Sequence, residues 1–564
     1  MSELKKEQLC AISHDTGDML VSASAGSGKT FVVIRRILRL LSENKTPVTG
    51  ILAVTFTEAA AKDMKEKLKT ALNNRAAAGD SFAEENVAEI SAADVCTLHS
   101  FCAKILRLYF FKAGVSPDFA VIDESDADAL KKECLDKAFK KFFDDKDQEF
   151  LLLVKRHLKN RKSEDLKSLV SYIHGVSQEE ADPDLWLNKY ETVLSPAGFD
   201  NAIKEFGDFL QKDVSRFLTV CGDALAVFGK ENVVKGVEFC EEFSAALKTV
   251  AGKDAYSFLS LKNYGLKNSN FGGKDIGEEV KLAKKRVQEA NSEFKKLLKD
   301  VLSLLTDETS DKARFFGSYA HAKAIVKVVR AFGEEYAKAK EEENVLDFCD
   351  LQRFTLAVLN DPEVLKEIRD RYKYVFVDEY QDINPLQEEI LSLLGGGNAF
   401  MVGDEKQSIY GFRGCSPEYF SKKRESLKKS GNTVYLNYNF RSAKAVINAV
   451  NKIFDYCYTE NLSGIDYKKT SRLIFGDVYP EGADGRVTFH VLKKTEKKKE
   501  PETPRIYDVL KETAKTKDKN GVATLIADII INKETLNTYY DREEKTFKPV
   551  RFKDIALLSR SRET

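Results

Sequence analysis

Residues 20–30, LVSASAGSGKT, constrain this chain more than any other stretch. Leu20 to Ser22 read as a short buried strand. Gly26 and Gly28 break it, and from Phe31 to Leu41 apolar residues recur every three or four positions, the spacing of a helix with one face inward. Strand, glycine-rich loop and a helix opening at Lys29-Thr30 make an anion cradle, because successive backbone N–H groups and a helix N-terminus present positive potential to a phosphate. The backbone of Ser24, Ala25, Gly26, Ser27 and Gly28 would line that cradle. Lys29 would reach the β/γ-phosphates and the Thr30 hydroxyl would take a place on Mg2+. The first position of this G-x-x-x-x-G-K-[ST] pattern is Ala23 instead of glycine. An ordinary strand–turn–helix is the competing account of the loop taken alone.

The rest of the chain must say what the loop is for, and composition narrows the field only a little. A length of 564 residues predicts about three or four domains. With 43% hydrophobic and 32% charged residues it reads as a soluble globular chain, without an apolar run long enough to span a membrane. The N-terminus MSELKKEQLCAISHD lacks the apolar core of a signal peptide. Nine scattered cysteines without a C-x-x-C pair argue against a zinc knuckle or a disulfide scaffold and read as reduced thiols of a cytoplasmic protein. The 89 basic and 89 acidic residues cancel, so any nucleic-acid contact would need a locally basic groove.

In chain order, Gln8 lies on a predicted helix before the loop. Its amide can serve an adenine edge, although a solvated helix residue is the plainer account. ILAVTF (51–56) reads as a second strand and 57–72 as a helix capped by Thr57. Phe56 then sits at the carboxyl edge, where open α/β sheets bind ligands; it would either stack a base or belong to the core. Val95 to Leu98 make a third strand, leading into His99. Strand–helix alternation to this point predicts an α/β fold with a parallel, doubly wound sheet.

From 119 to 344 helical spacing dominates, which predicts a large helical insertion. The sheet resumes at YKYVFVDEYQDIN (372–384), with Tyr374 to Val377 a buried strand. Asp378 at its end would hold Mg2+ and Glu379 would position or deprotonate the attacking water. NAFMVGDEKQSIYGFRG (398–414) follows as a strand and a loop carrying Asp404, Gln407, Tyr410, Phe412 and Arg413. These groups suit sensing a phosphate at one end and stacking bases at the other. TVYLNYNFRS (433–442) is expected to open another sheet, from which Arg441 would reach the nucleotide as an arginine finger. Further strands are expected at RVTFHVL (486–492) and DIALLSR (554–560), with a helix near GVATLIADIII between them.

Together, SASAGSGKT, AVTFTEAAAKDM, TLHSFC, LDFCDL, VFVDEYQDIN, VGDEKQSIYGFRG and LNYNFRS, in this order, resemble the superfamily 1A DNA helicases of the UvrD/Rep/RecB group. Within it the chain most resembles the AddA group of bacterial helicase–nuclease proteins. SLVSYIHGVSQEEADPDLWL (168–187) and DIALLSRSR extend that likeness beyond the shared motifs. The resemblance implies a P-loop NTPase: a first RecA-like motor domain over 1–118 and 345–430, the insertion 119–344, and the start of a second RecA-like domain over 431–564.

By position, the resemblance assigns Gln8 to adenine recognition and Gly26 to Thr30 to phosphates and Mg2+. Asp378 and Glu379 become the metal-binding and hydrolytic carboxylates. Gln407 is assigned to coupling between γ-phosphate and DNA, and Arg441 to the γ-phosphate. Phe440 takes an adenine-stacking place that is usually tyrosine. Phe56, Thr57, His99, Tyr410, Phe412 and Arg413 fall at or beside positions that line a single-strand path.

The activity implied is an ATP- and Mg2+-dependent translocase on single-stranded DNA that separates duplex DNA in double-strand-break repair and recombination. An AddB-type partner is implied for the full-length protein. The motifs of a complete second motor domain and of a nuclease are not found before Thr564, so this chain is expected to be the N-terminal portion of a longer protein and to hydrolyse ATP poorly. Its place is the bacterial cytoplasm, with nucleoid association when acting on DNA. A stand-alone UvrD/Rep-type repair helicase and a nucleotide-dependent DNA-binding scaffold remain as alternatives. A metabolic or signalling P-loop NTPase would have no use for Phe56, Tyr410 and Phe412 at a sheet edge.

Overall fold

The computed structural model describes residues 4–15, 17–157, 164–268, 277–411, 414–458, 465–476, 479–480, 483, 485–489, 538–542 and 544–558. They form two units, Met1–Lys104 with Ala357–Thr564, and Ile105–Leu356.

Short apolar runs of the first unit become strands β1 (Met19–Ala23), β2 (Ile51–Thr55) and β3 (Asp94–Thr97). Among its described residues the second unit contributes β4 (Ala120–Val121) and β5 (Val345–Leu346), paired with each other. Back in the first unit follow β6 (Tyr374–Val377), β7 (Ala399–Gly403) and β8 (Thr433–Leu436). Six of these make one sheet in the order β3-β2-β6-β7-β1-β8, and every pairing in it is parallel. Every residue of β1, β2 and β7 is buried, which explains why they read as unbroken apolar runs: a parallel sheet is covered on both faces by its crossover helices. Those helices include Lys29–Asn44, Glu58–Ala76, Pro385–Gly395 and Pro417–Lys428. Val21, Ile37, Leu41, Ala53, Met64, Phe376, Phe400 and Val402 pack in the resulting core. Thr57 caps its helix as expected, Oγ1 accepting the Ala60 N–H at 3.1 Å.

The strand order positions the site. From β1 the chain crosses back past β7 and β6 to β2, whereas from β7 it crosses past β1 to β8. The connections leave two adjacent strands in opposite directions, and a crevice opens outside their carboxyl ends.

One expectation holds only in part. The strand 433–436 does not open a different sheet: it is β8, hydrogen-bonded along β1 with Val434 beside Val21. Its apolar residues Val434 and Leu436 are buried in the same core as β1, and the separate sheet starts just beyond it, where Tyr438–Asn439 pairs in parallel with Ile474–Phe475. The tail also departs from expectation. Of the strands expected at 486–492 and 554–560, residues 486–489 and 555–558 join no ladder among the described residues, with Phe489 and Leu558 exposed, and 490–492 and 559–560 lie outside the described residues. An antiparallel pair, Thr538–Asp541 with Thr546–Pro549, is present instead. The helix expected near 521–531 lies outside the described residues.

Among its described residues the second unit is predominantly helical, as its spacing predicts; its longest helices are Pro196–Lys230, Glu278–Leu304 and Glu308–Glu343. Phe217, Phe228, Phe243 and Phe294 fill one core, and Phe139, Phe150, Phe332 and Tyr336 a second. Beside the second core a charge is buried. Lys340, 7% exposed, holds Asp347 at 2.9 Å and is also bonded to Asp350, with the Tyr336 ring 4.3 Å away. Burial opposes ionisation of both carboxyls. Lys340 outweighs it at Asp347, whose pKa is lowered, while burial and the Asp347 charge prevail at Asp350, whose pKa is raised. Removing the cation from such a cluster leaves uncompensated buried charge. Lys340→Ala is therefore expected to cost about 3–5 kcal/mol in urea unfolding, with lost hydrogen-exchange protection in Glu308–Glu343. A loss under about 1 kcal/mol would show the lysine to be dispensable.

Candidate nucleotide site and sheet-edge aromatics

The loop after β1 is built by glycine and by its neighbours. Gly26 and Gly28 hold φ of 72° and 84°, a left-handed backbone that side chains disfavour. A Cβ on Gly26 would also lie 2.7 Å from the Arg441 Cβ. Three successive loop carbonyls are taken from outside. Asn439 Nδ2 donates to Ala25 O (2.8 Å), Phe440 N–H to Gly26 O (2.7 Å) and Gln8 Nε2 to Ser27 O (3.2 Å). In a trans peptide the N–H opposes the carbonyl, so the amides of Gly26 and Gly28 face the other way. Lys29 and Thr30 follow as the first residues of their helix, whose leading N–H groups have no intrahelical acceptor. Ser27 Oγ is buried without a hydrogen-bond partner among the described residues, and the oxygens of an anion would satisfy it. These features fit a phosphate-bearing ligand.

The β6 edge faces that cradle. Asp378 N–H is tied to Val54 O at 2.9 Å, and its Oδ1 accepts the Glu379 N–H at 3.0 Å. Glu379 itself is left-handed, φ 51° and ψ 43°, a conformation costing a non-glycine residue about 1–3 kcal/mol. Its Oε2 meets Lys29 Nζ at 2.5 Å. Burial, then the Glu379 charge, pushes the Asp378 carboxyl up to about 6 against the opposing pull of Lys29. Among the groups named for Mg2+, Asp378 and Thr30 thus stand at the ends of two different elements that Lys29 and Glu379 join.

At the β7 edge Asp404, 2% exposed, accepts Gln407 Nε2 at 2.7 Å and Lys406 Nζ at 2.5 Å. Three residues beyond Gln407, the Tyr410 ring stacks on Phe56 from the β2 edge, centroids 4.7 Å apart and 30° between planes. At the neighbouring β3 edge half-buried His99 opens the helix Leu98–Leu108, beside Glu58. That carboxylate accepts Thr97 Oγ1 and Ser100 Oγ at 2.7 Å each, and these bonds hold its pKa down. Phe56, Thr57 and His99 therefore stand on the adjacent ends of β2 and β3, and Tyr410 meets Phe56 from beyond β7, two strands away, although the Thr57 hydroxyl is committed to its cap. Phe412 and Arg413 lie outside the described residues.

Arg441, Phe440 and Gln8 all stand at the same loop. Arg441 follows Tyr438–Asn439 of the separate two-stranded sheet; it is exposed, starts beside Gly26, and its N–H is held by Asn439 Oδ1 at 2.9 Å. The Phe440 ring lies nearly parallel to that of Tyr438, centroids 6.2 Å apart. Gln8 meets the loop backbone instead of presenting a free amide edge. Sequence reasoning missed Gln381 and Asn439. Each is a buried amide within three residues of a named site residue, and that adjacency was the available signal.

With this geometry the chain belongs to the UvrD/REP helicase N-terminal domain family, which it matches over residues 4–428. It is similar along its whole length to the A component of the ATP-dependent helicase/nuclease of Carboxydothermus hydrogenoformans, 31% identical over 579 aligned positions that cover 48% of that protein. The proteins of the same name from Clostridioides difficile and Ligilactobacillus salivarius are 28% and 30% identical, covering 99% and 97% of this chain and 48% and 46% of theirs. The chain spans about half the length of the curated relatives it matches.

The Asp378 shift makes a stability prediction. An acid whose folded pKa is raised binds its proton more tightly when folded, so stability is greatest below the unfolded value near 3.8 and falls as pH rises toward about 6. Asp378→Asn removes that loss. Relative to wild type it is expected to gain about 2–3 kcal/mol at pH 7 and almost nothing at pH 4 in denaturant titrations, and equal differences at both pH values would refute the shift.

Proposed function

We propose that this chain is the ATP-binding motor portion of a DNA helicase that moves along single-stranded DNA. Its setting would be double-strand-break repair and recombination, as part of an AddA-type helicase/nuclease protein with an AddB-type partner. The observation that carries the reading is the convergence, along one sheet edge, of the Lys29–Glu379 pair and the Phe56–Tyr410 stack. A nucleotide-handling pair and a base-sized aromatic platform on one rigid edge are what a DNA motor requires, since aromatic faces accept any base. The sheet of the first unit is read as the first RecA-like domain and the helical unit as its insertion. The segment after β8 is read as the beginning of a second motor domain.

In this reading the backbone of Ser24–Gly28 and Lys29 bind the phosphates of ATP, with Gln8 and Phe440 flanking the base. Mg2+ would be held by Thr30 and, through water, by Asp378, and supplies neutralisation of the phosphate charge. Lys29 leaves Glu379 for the nucleotide, which frees that carboxylate to orient and deprotonate the attacking water. Arg441 steadies charge at the γ-phosphate, and Gln407 reports its presence to Tyr410. Thr57, His99, Phe412 and Arg413 line the DNA path. A bacterial cytoplasmic location accords with this role, and no helix among the described residues is long and apolar enough to cross a membrane.

ATP binding and turnover, each with and without a dT oligonucleotide, test the reading. Lys29→Ala is expected to weaken Mg-ATP binding at least tenfold. Glu379→Gln is expected to keep binding and lose about 100-fold in whatever turnover the chain supports. Normal turnover in Glu379→Gln, or nucleotide handling indifferent to dT, would sink it. Separately, Phe56→Ala and Tyr410→Ala should each weaken dT binding by about 1–3 kcal/mol. Because the rings stack on each other, the double variant should lose less than the sum.

A further inference from the structure

Between the β6 and β7 edges lies a side chain that no motif role accounts for. Gln381 is 2% exposed, two residues beyond Glu379. Its Oε1 accepts the Asp404 N–H at 2.8 Å. A main-chain N–H can only donate, so the amide orientation is settled and the NH2 faces two carboxylates. It donates to Glu379 Oε2 and Asp382 Oδ2, both at 3.0 Å. The space is reserved: a Cβ on Gly403 would fall 2.4 Å from Gln381 Oε1. The bonds run without a break from Lys29 Nζ to Glu379 Oε2, to the Gln381 amide, to Asp404, and from Asp404 Oδ2 to Gln407 Nε2. Tyr410, stacked on Phe56, follows in the same loop.

We propose, resting on the nucleotide and DNA roles proposed above, that Gln381 is the positioning residue linking Glu379 to the 404–410 segment, so that release of Lys29 to a nucleotide is felt at the Phe56–Tyr410 platform. The residue touches neither nucleotide nor DNA. Only a primary amide serves all its partners, accepting from a backbone N–H while donating twice to carboxylates. A methionine fills nearly the same volume with none of these bonds, and a glutamate would set a third carboxylate against Glu379 and Asp382.

The experiment measures linkage in this chain: the affinity of a fluorescent dT oligonucleotide by anisotropy, with and without Mg2+ and a non-hydrolysable ATP analogue. Wild type is expected to show a linkage factor on the order of tenfold. Gln381→Met is expected to bind the analogue within about threefold of wild type while its linkage factor falls below about twofold. In a Gln407→Ala background Gln381→Met should change nothing further, because both lie on one path. Gln381→Met with wild-type linkage would overturn the inference and leave the proposed function standing, since packing alone would then suffice. Loss of analogue binding in Gln381→Met would overturn it too, by making the residue part of the nucleotide site. A wild-type chain without linkage would overturn both the inference and the reading beneath it.

Discussion

Both faces of the parallel sheet are sealed by helices, so polar side chains that must meet a ligand have only the strand ends to occupy. In β1, β2 and β7 every residue is buried, and the first groups free to act are those just past the carboxyl ends. Because β1 and β7 send their chains in opposite directions, those ends are not roofed by their own connections. The cradle, the carboxylates, Gln407 and the aromatic pair are distributed over four strand ends by this one constraint. The strand spacing of roughly 4.8 Å sets the separation of the strand ends, and the loop after β7 closes the remaining distance between Tyr410 and Phe56.

Within that frame the site is held in tension. Lys29 and Glu379 satisfy each other, Asp378 is biased toward its neutral form by burial, and Glu379 keeps a left-handed backbone. None of these states is the one a phosphate and a divalent cation would favour. An anion competes with Glu379 for Lys29, and a cation nearby would draw the proton from Asp378. Binding therefore exchanges one set of compensated charges for another instead of filling a passive hole. The buried amide of Gln381 bonds across two strand ends, where the proposed linkage would run, and that of Asn439 bonds both the loop and the backbone of Arg441.

Much of this was legible before any coordinates. The runs 20–22, 51–56, 95–98 and 374–377 stand as strands within a residue or two, since full burial of a parallel strand leaves an apolar run that composition reveals. Glycine at 26 and 28 announced the cradle because left-handed backbone selects for it. Helical spacing announced the second unit, but its limits at Ile105 and Leu356 fall inside helices Leu98–Leu108 and Phe348–Leu359, where periodicity does not change. The expected strand at 554–560 shows the limit of that signal: Ile555 to Leu558 are also an apolar run, yet among the described residues they have no strand partner.

The sequence by itself determined the chemistry of the site: a lysine after a glycine loop, two carboxylates after an apolar strand, aromatics at the edge. These are local facts, carried by a few consecutive residues whose conformational and charge requirements do not depend on distant contacts. Tertiary structure alone decided which of those groups meet. It joined Lys29 to Glu379 across 350 positions, stacked Phe56 on Tyr410, placed β8 beside β1 instead of in another sheet, and threaded Gln381 between two strand ends. Pairing order in a parallel sheet is set by which buried faces complement one another over the whole core, and no window of sequence contains that sum.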